Sequence, residues 1–402
     1  MSAPTTCWVP GAAGSGFDVD HLPWGLAELP GLGPRPVVRI GEHALDLAGI
    51  AEHLPASGRA ALAAPTLDTL LALPADELAA QRDAVRELLT DPAHRPLVAP
   101  HLHPLAGISL RLPITVADVV DFYASEHHAT RVGSIFRPDG PALPQAWKHL
   151  PIGYHGRAGS VVVSGTPIRR PAGQRRGAPG SGPTFGPSER LDLEAEVGFV
   201  VGRPSVLGRP VPVTALADHV VGVALVNDWS ARDLQAWEYV PLGPFLGKSF
   251  ATSIAAWITP LAALEAAWTD PPAQSPEPLP YLRPAGRGLD LALEVLLDGE
   301  VVARPPFAST YWTPSQMLAH LTSNGAAVRT GDLFASGTVS GPGDDERGCL
   351  LELTRGGTVP LPDGRTWLTD GTEVTVRASA PSTSGGRLHL GEVSGRIVGS
   401  GL

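Results

Sequence analysis

The stretch LDLEAEVGFVVG, residues 191–202, constrains the fold of this chain more than any other. Side chains of a β-strand alternate between faces, so Asp192, Glu194 and Glu196 line one face while Leu191, Leu193, Ala195 and Val197 fill the other. Three carboxylates in one row repel one another. Such a row is stable where water screens it, or where a cation or arginines sit against it, so the stretch is either a solvated sheet face or part of a hard-metal site. Most charged rows in strands are exposed, and these residues taken alone favour the solvated face.

A chain of 402 residues is longer than one core usually organises, which predicts two domains. Its 46 glycines and 42 prolines are scattered without a period, a pattern of many short strands joined by turns. A formal charge of -10 argues against nucleic acid as a partner. The exception is the cluster Arg169, Arg170, Arg175 and Arg176, which is expected to form a loop pairing with nearby carboxylates. Cys7 and Cys349 alone make no disulfide framework and no zinc spacing, which suits a reducing cytosol. No stretch stays apolar for about 18 residues and no leader pattern opens the chain, so a soluble cytoplasmic protein without a membrane partner is expected.

Residues 1–112 read as a separate N-terminal module. PVVRIGEHALDL suits a hairpin, and Pro74 opens the helix ADELAAQRDAVRELL, with Leu78, Val85, Leu88 and Leu89 on one face. His94, His101 and His103 flank a proline-rich connector and read as surface residues.

From residue 113 the character changes. TVADVVDFYASEHHATRVG predicts a helix starting at Thr115, with Val116, Val119, Val120 and Tyr123 at helical spacing. On that helix Asp121 and His128 would share a face about 10 Å apart, either as ligand and base around a small substrate or as a surface acid and a capping histidine. HVVGVALVND predicts a buried strand ending at Asp228, followed by a helix with Ser230 as N-cap and with Arg232, Gln235 and Tyr239 on one polar face. That face suits a carboxylate or an oxyanion, and a solvated helix would look the same. Lys248 lies in GPFLGKS, one residue short of a phosphate-binding loop and with Pro244 removing a donor, so a nucleotide site is not expected. The remainder is mostly β, with a hairpin at LDLALEVLLDGEVV, a helix at TPSQMLAHLTSNG, and short strands at LFASGTVSG, CLLELTRGG, TEVTVRA and EVSGRIVG.

At HATRVG, GYHGR, VVVSGTPIRRP, LDLEAEVGF, NDWSARDLQAWEYVPLGPFLGKSF, LFASGTVSG and LLELT the chain resembles the fumarylacetoacetase family, in order over nearly its whole length. The resemblance implies a mainly β fold with some α: a small SH3-like barrel over 1–112, then a larger mixed β-sandwich roll over 113–402, assembled as a homodimer. It implies hydrolysis of the carbon–carbon bond of 4-fumarylacetoacetate to fumarate and acetoacetate, in tyrosine and phenylalanine catabolism. It places a calcium or magnesium ion on Asp121, Glu194, Glu196 and Asp228, with Lys248 and Thr252 tied to a second cation site. Asp192 has no ligand role in the family motif and is expected in a salt bridge.

By the same resemblance His128 is the base that activates water, oriented by Glu352. Arg232, Gln235 and Lys248 meet the leaving carbanion, and Tyr123, Arg137, Tyr154, Tyr239 and Thr338 grip the β-diketo dicarboxylic acid. Glu126, His127 and Arg131 depart from the family pattern beside His128, as do the loop lengths around Pro179 and Pro271. The rival readings are an acylpyruvate hydrolase, decarboxylase or isomerase of the same superfamily, which lacks the WEYVPLGPFLGKSF run, and a silent acid-binding protein, against which His128, Glu352 and Lys248 speak.

Overall fold

In the computed structural model, which describes residues 7–401, the alternating run at Pro36 folds as the expected hairpin. Gly33–Ile40 pairs with His43–Asp46, closing at Ile40 opposite His43. Gly41 turns the chain at φ +55°, and a Cβ there would lie 3.1 Å from Ala12 Cα, so glycine fits both the conformation and the space. Trp24–Leu29 pairs with Gly33–Ile40 on one side and with Trp257–Pro260 on the other. The N-terminal strands therefore continue into a sheet of 13 strands that also contains Val220–Asp228, Ala195–Val201 and Asp332–Ala335 from the rest of the chain. Among the described residues this sheet runs as an open path and no closed barrel is found. The fold is mixed α/β and rich in sheet.

A second sheet of five strands contains Ala292–Leu297, Glu373–Pro381 and Arg387–Val398. Leu388, Leu390, Val393 and Ile397 bury one face of its last strand, which packs against Val220–Asp228. Val220–Asp228 is buried along its whole length, as a strand covered on both faces must be. Ala195–Val201 lies antiparallel between it and Asp332–Ala335. Phe199 and Phe334 stack there with ring centres 5.2 Å apart.

Several local expectations are corrected. The segment from Thr115 does not form one helix: Asp118–Phe122 is a strand, parallel to Asp332–Ala335 and antiparallel to Gly153–His155. Val119, Val120 and Phe122 bury themselves in that sheet, and tertiary pairing outweighs the helical spacing. The helix begins at Glu126 and runs to Phe136, with Ser125 as its N-cap. Ser230 caps nothing. It lies in a short strand, and the helix Arg232–Glu238 starts after Ala231. LLEL is one helical turn, Leu350–Leu353, in place of the expected strand. The remaining hairpin and the helix Pro314–Thr322, with its Thr313 capping box, form as predicted.

One further expectation holds in part. Arg170 pairs with Asp370 at 2.7 Å and Arg175 pairs with Glu189, so these arginines bind carboxylates, but the segment is not one loop: Arg169 ends the strand Ile168–Arg169 and Arg175 ends the strand Ala172–Arg175. Among the described residues no helix is long and apolar enough to cross a membrane.

His21 ties the N-terminal segment to the main sheet. Its Nδ1 lies 3.1 Å from the Gly16 carbonyl and its Nε2 2.9 Å from the Thr259 hydroxyl. The carbonyl can only accept, so Nδ1 carries the proton and Nε2 accepts from Thr259. Burial lowers the His21 pKa to about 3, with Arg82, Arg39 and His389 adding to the effect against the pull of Gly16. The unfolded chain then binds a proton near pH 6.5 that the folded chain refuses until about pH 3. The contribution of His21 to stability is complete above about pH 6.5 and falls by about 1.4 kcal/mol per unit as pH drops through that window. Denaturant titrations at stepped pH are expected to show this slope, and His21→Gln is expected to flatten it.

Candidate active site

The acidic stretch turns inward. Asp192, Glu194 and Glu196 are 0%, 5% and 0% exposed, which overturns the solvated-face expectation. Nor is it one continuous strand: Leu191–Asp192 pairs separately, and the long strand begins only at Ala195. The break leaves Asp192 outside the group of acids that Glu194 and Glu196 join, although it shares Arg232 with Glu194. Asp192 accepts from Arg232 Nε at 2.9 Å and from the backbone N–H groups of Leu350 and Leu351 at 2.7 and 3.0 Å. The expected salt bridge of Asp192 is present.

Glu194 and Glu196 meet Asp121, from the strand Asp118–Phe122, and Asp228, from the end of its buried strand. One carboxylate oxygen from each of the four lies within 4.8 Å of the others. Strands place these groups, so the correction to the Thr115 segment moves Asp121 onto a sheet without removing it from the cluster.

The four acids are compensated unequally. Lys248 Nζ lies 2.7 Å from both Glu194 Oε2 and Asp228 Oδ2, and Arg232 Nη2 lies 2.6 Å from Glu194 Oε1. Burial pushes the Glu194 carboxyl up, but Lys248 and Arg232 outweigh it and hold the group below its ordinary range. Asp228 also accepts from Tyr154 at 3.1 Å and Thr252 at 2.7 Å. Glu196 has neither oxygen hydrogen-bonded, and Asp121 Oδ1 is likewise buried without a partner. Burial first, and then the neighbouring acids, drive both of these carboxyls well above their ordinary values.

Orphaned buried carboxylate oxygens are costly. Four converging oxygens without sulfur or imidazole match the donor set of a hard divalent cation. The residues present fit a metal ion.

Asp121 and Glu194 border a cavity of about 480 Å³ that is also lined by Tyr123, His128, Arg137, Tyr154, Arg232, Gln235, Tyr239, Lys248 and Thr338. Glu196, Asp228 and Thr252 face an adjoining space of about 150 Å³ that shares Asp121, Tyr154 and Lys248 with it. A larger groove of about 790 Å³, with Arg39, Arg304, Arg377 and His389, lies apart from these residues. Its Arg304 and Arg377 are already bound to Glu294 at 3.2 and 2.7 Å, and the reactive groups gather in the smaller cavity.

His128 enters the cavity from the first turn of its helix. Its Nδ1 lies 2.7 Å from Glu352 Oε2, and its ring meets the edge of Tyr123 at 5.3 Å between centres. Burial pushes the Glu352 carboxyl up, but His128, Ser340 and Cys349 together hold it below its ordinary value. Arg131 reaches the other carboxylate oxygen at 3.4 Å and the Pro342 carbonyl at 2.8 Å. His127 stands off to the side, half-buried, and Glu126 pairs with Lys148 at 2.5 Å.

Arg137 contacts the carbonyls of Pro141 and Ala142 at 3.2 and 2.5 Å, and the Thr338 hydroxyl is buried without a partner. Two partners of Glu352, Ser340 and Cys349, carry no site role in the sequence. Ser340 and Cys349 are small residues in a loop, and nothing in their spacing to Glu352 marks them.

Comparison with known proteins identifies the family. Residues 20–113 match the family described as Fumarylacetoacetase N-terminal, and residues 118–398 match Fumarylacetoacetate (FAA) hydrolase C-terminal. The chain belongs to the fumarylacetoacetate hydrolase family. It is 42% identical to the fumarylacetoacetase of Bos taurus over 414 residues, which covers 97% of this chain and 98% of that protein. It is 40% identical to the fumarylacetoacetase of Oryza sativa subsp. japonica, covering 98% of each. Among solved structures, a fumarylacetoacetate hydrolase of Exiguobacterium antarcticum shares the fold at TM-score 0.55 and 17% identity, covering 94% of this chain and 99% of that one. A maleylpyruvate hydrolase of a Sphingobium species does so at TM-score 0.53 and 16% identity, covering 94% of this chain and 100% of that one. Members of this hydrolase family act on carbon–carbon bonds, and this chain is an enzyme of that kind.

Proposed function

We propose that the chain hydrolyses the carbon–carbon bond of 4-fumarylacetoacetate, giving fumarate and acetoacetate in tyrosine and phenylalanine breakdown. The observation that carries this reading is that His128, held by Glu352, lines one cavity with Asp121 and Glu194, two of the four acids of the buried cluster. Asp121, Glu194, Glu196 and Asp228 would hold a calcium or magnesium ion, which when bound supplies Lewis-acid polarisation of the diketone oxygens. Lys248 and Thr252 both bond Asp228 and would serve a second cation there.

Glu352 occupies His128 Nδ1, so Nε2 is the nitrogen left to take a proton from water. The hydroxide equivalent adds to the carbonyl beside the fumaryl group. The carbon–carbon bond then breaks, its electron pair stays with the acetoacetate fragment, and a proton completes that product. Arg232, Gln235 and Lys248 supply donors for the developing charge. Tyr123, Arg137, Tyr154, Tyr239 and Thr338 hold the substrate and its carboxylates. A protein with formal charge -10 needs such a local positive lining to admit a dianion.

The proposal includes a cytoplasmic homodimer whose subunit comprises an SH3-like module over 1–112 and a catalytic β-roll over 113–402. Loss of the substrate's ultraviolet absorbance on addition of enzyme tests it, and stripping divalent ions with a chelator is expected to abolish that loss until calcium or magnesium is restored. Turnover of an acylpyruvate or oxaloacetate, with none of the diketone, would replace the reading with the other branch of the superfamily.

A further inference from the structure

We propose that Ser340 is a positioning residue for the His128–Glu352 pair, fixing the carboxylate with its hydroxyl and the histidine's helix with its carbonyl. The inference rests on the role given to His128 above and goes beyond it. Ser340 is fully buried. Its Oγ receives the Gly348 N–H at 3.1 Å and donates to Glu352 Oε2 at 2.7 Å, the same oxygen that faces His128 Nδ1. The incoming N–H occupies a lone pair of the hydroxyl and leaves its hydrogen aimed at the carboxylate.

The Ser340 carbonyl accepts from Ser125 Oγ at 3.0 Å. Ser125 is the N-cap of the helix carrying His128, and its Oγ receives the His128 N–H at 3.3 Å. One residue thus sets the height of the helix turn and the rotation of the carboxylate, which are the two coordinates that aim the imidazole. Cys349 Sγ adds a weaker donor to the same oxygen at 3.3 Å.

The hydroxyl also spreads the charge of Glu352 Oε2 and so weakens its pull on a protonated imidazole. The other charged or titratable groups bearing on His128 are Glu352 and Cys349 from the facing turn, Arg131 on its own helix, Glu194 across the cavity, and Tyr123 against its ring. Each of these side chains is still present in a Ser340 variant, in which only the hydroxyl on Glu352 Oε2 is lost.

Ser340→Ala is expected to lower kcat on the order of tenfold, the weight of one hydrogen bond to a charged group. KM should stay unchanged, and the acid limb of the kcat/KM profile should move to higher pH because the imidazole holds its proton more tightly. Ser340→Cys, which keeps a weak donor, is expected to fall between wild type and alanine, and it carries the test if the alanine variant fails to fold. Glu352→Gln is measured alongside. If Glu352→Gln is impaired while the Ser340 variants keep wild-type kcat and an unmoved acid limb, the Ser340 proposal is overturned alone. If Glu352→Gln has wild-type kcat, the catalytic reading itself falls and the Ser340 proposal falls with it. A drop in melting temperature with unchanged kcat per folded enzyme and an unmoved limb would reduce Ser340 to a structural residue and overturn the proposal.

Discussion

His128→Ala is expected to lower kcat for fumarylacetoacetate by roughly 10³-fold, within the usual range for losing a general base. The imidazole is buried, its Nδ1 faces Glu352 at 2.7 Å, and its other nitrogen is the one free to meet a water in the cavity. His128 stands outside the group of four acids, so the variant should still bind a divalent cation and should still bind fumarate. Steady-state kinetics paired with calorimetric cation binding separates the two effects. Activity within a few-fold of wild type would remove His128 from the chemistry, whereas loss of cation binding as well would show that the substitution had damaged more than the base.

The second large effect concerns Glu196, and two of its consequences run in opposite directions. Both of its oxygens are buried without a hydrogen-bond partner, and burial with Asp121, Asp228 and Glu194 pushes its carboxyl well above the ordinary range. In chelated protein this group is a burden, so Glu196→Gln is expected to raise the melting temperature measured in excess chelator. With cation at about 1,000 times its Kd the wild type should gain about 4 kcal/mol, because a ligand that binds only the folded state stabilises by mass action. The variant should lose most of that gain and most of its turnover. Scanning calorimetry with chelator and with calcium or magnesium reads both terms. Equal cation stabilisation of the two proteins would show that Glu196 is not a ligand.

How much of this was legible in the residues differs by level. Helices and hairpins with strong local signals, such as Ala75–Thr90 behind Pro74 and Pro314–Thr322 behind Thr313, follow from capping and periodicity. The segment from Thr115 did not, because Val116, Val119, Val120 and Tyr123 fit helical spacing while the β-branched Val119 and Val120 suit a strand as well. Pairing with Asp332–Ala335, more than two hundred residues away, decides between them. One helical turn at LLEL is too short for a periodic signal, and the N–H groups it aims at Asp192 are visible only in three dimensions.

The acidic stretch illustrates the same limit at the site. Parity put Asp192, Glu194 and Glu196 on one face, but whether that face meets water or other acids depends on where Asp121 and Asp228 arrive. Resemblance supplied the residues that line the cavity. It did not supply Ser340 and Cys349, whose contacts with Glu352 come from a loop whose path the residues do not announce.

A crystal structure of the protein with calcium or magnesium and acetoacetate bound decides whether the acids and His128 serve one site. One divalent ion is expected on Asp121, Glu194, Glu196 and Asp228, with acetoacetate in the cavity between that ion and His128. An ion seated elsewhere with Glu196 still unpartnered, or acetoacetate bound outside the cavity that His128 faces, would contradict it.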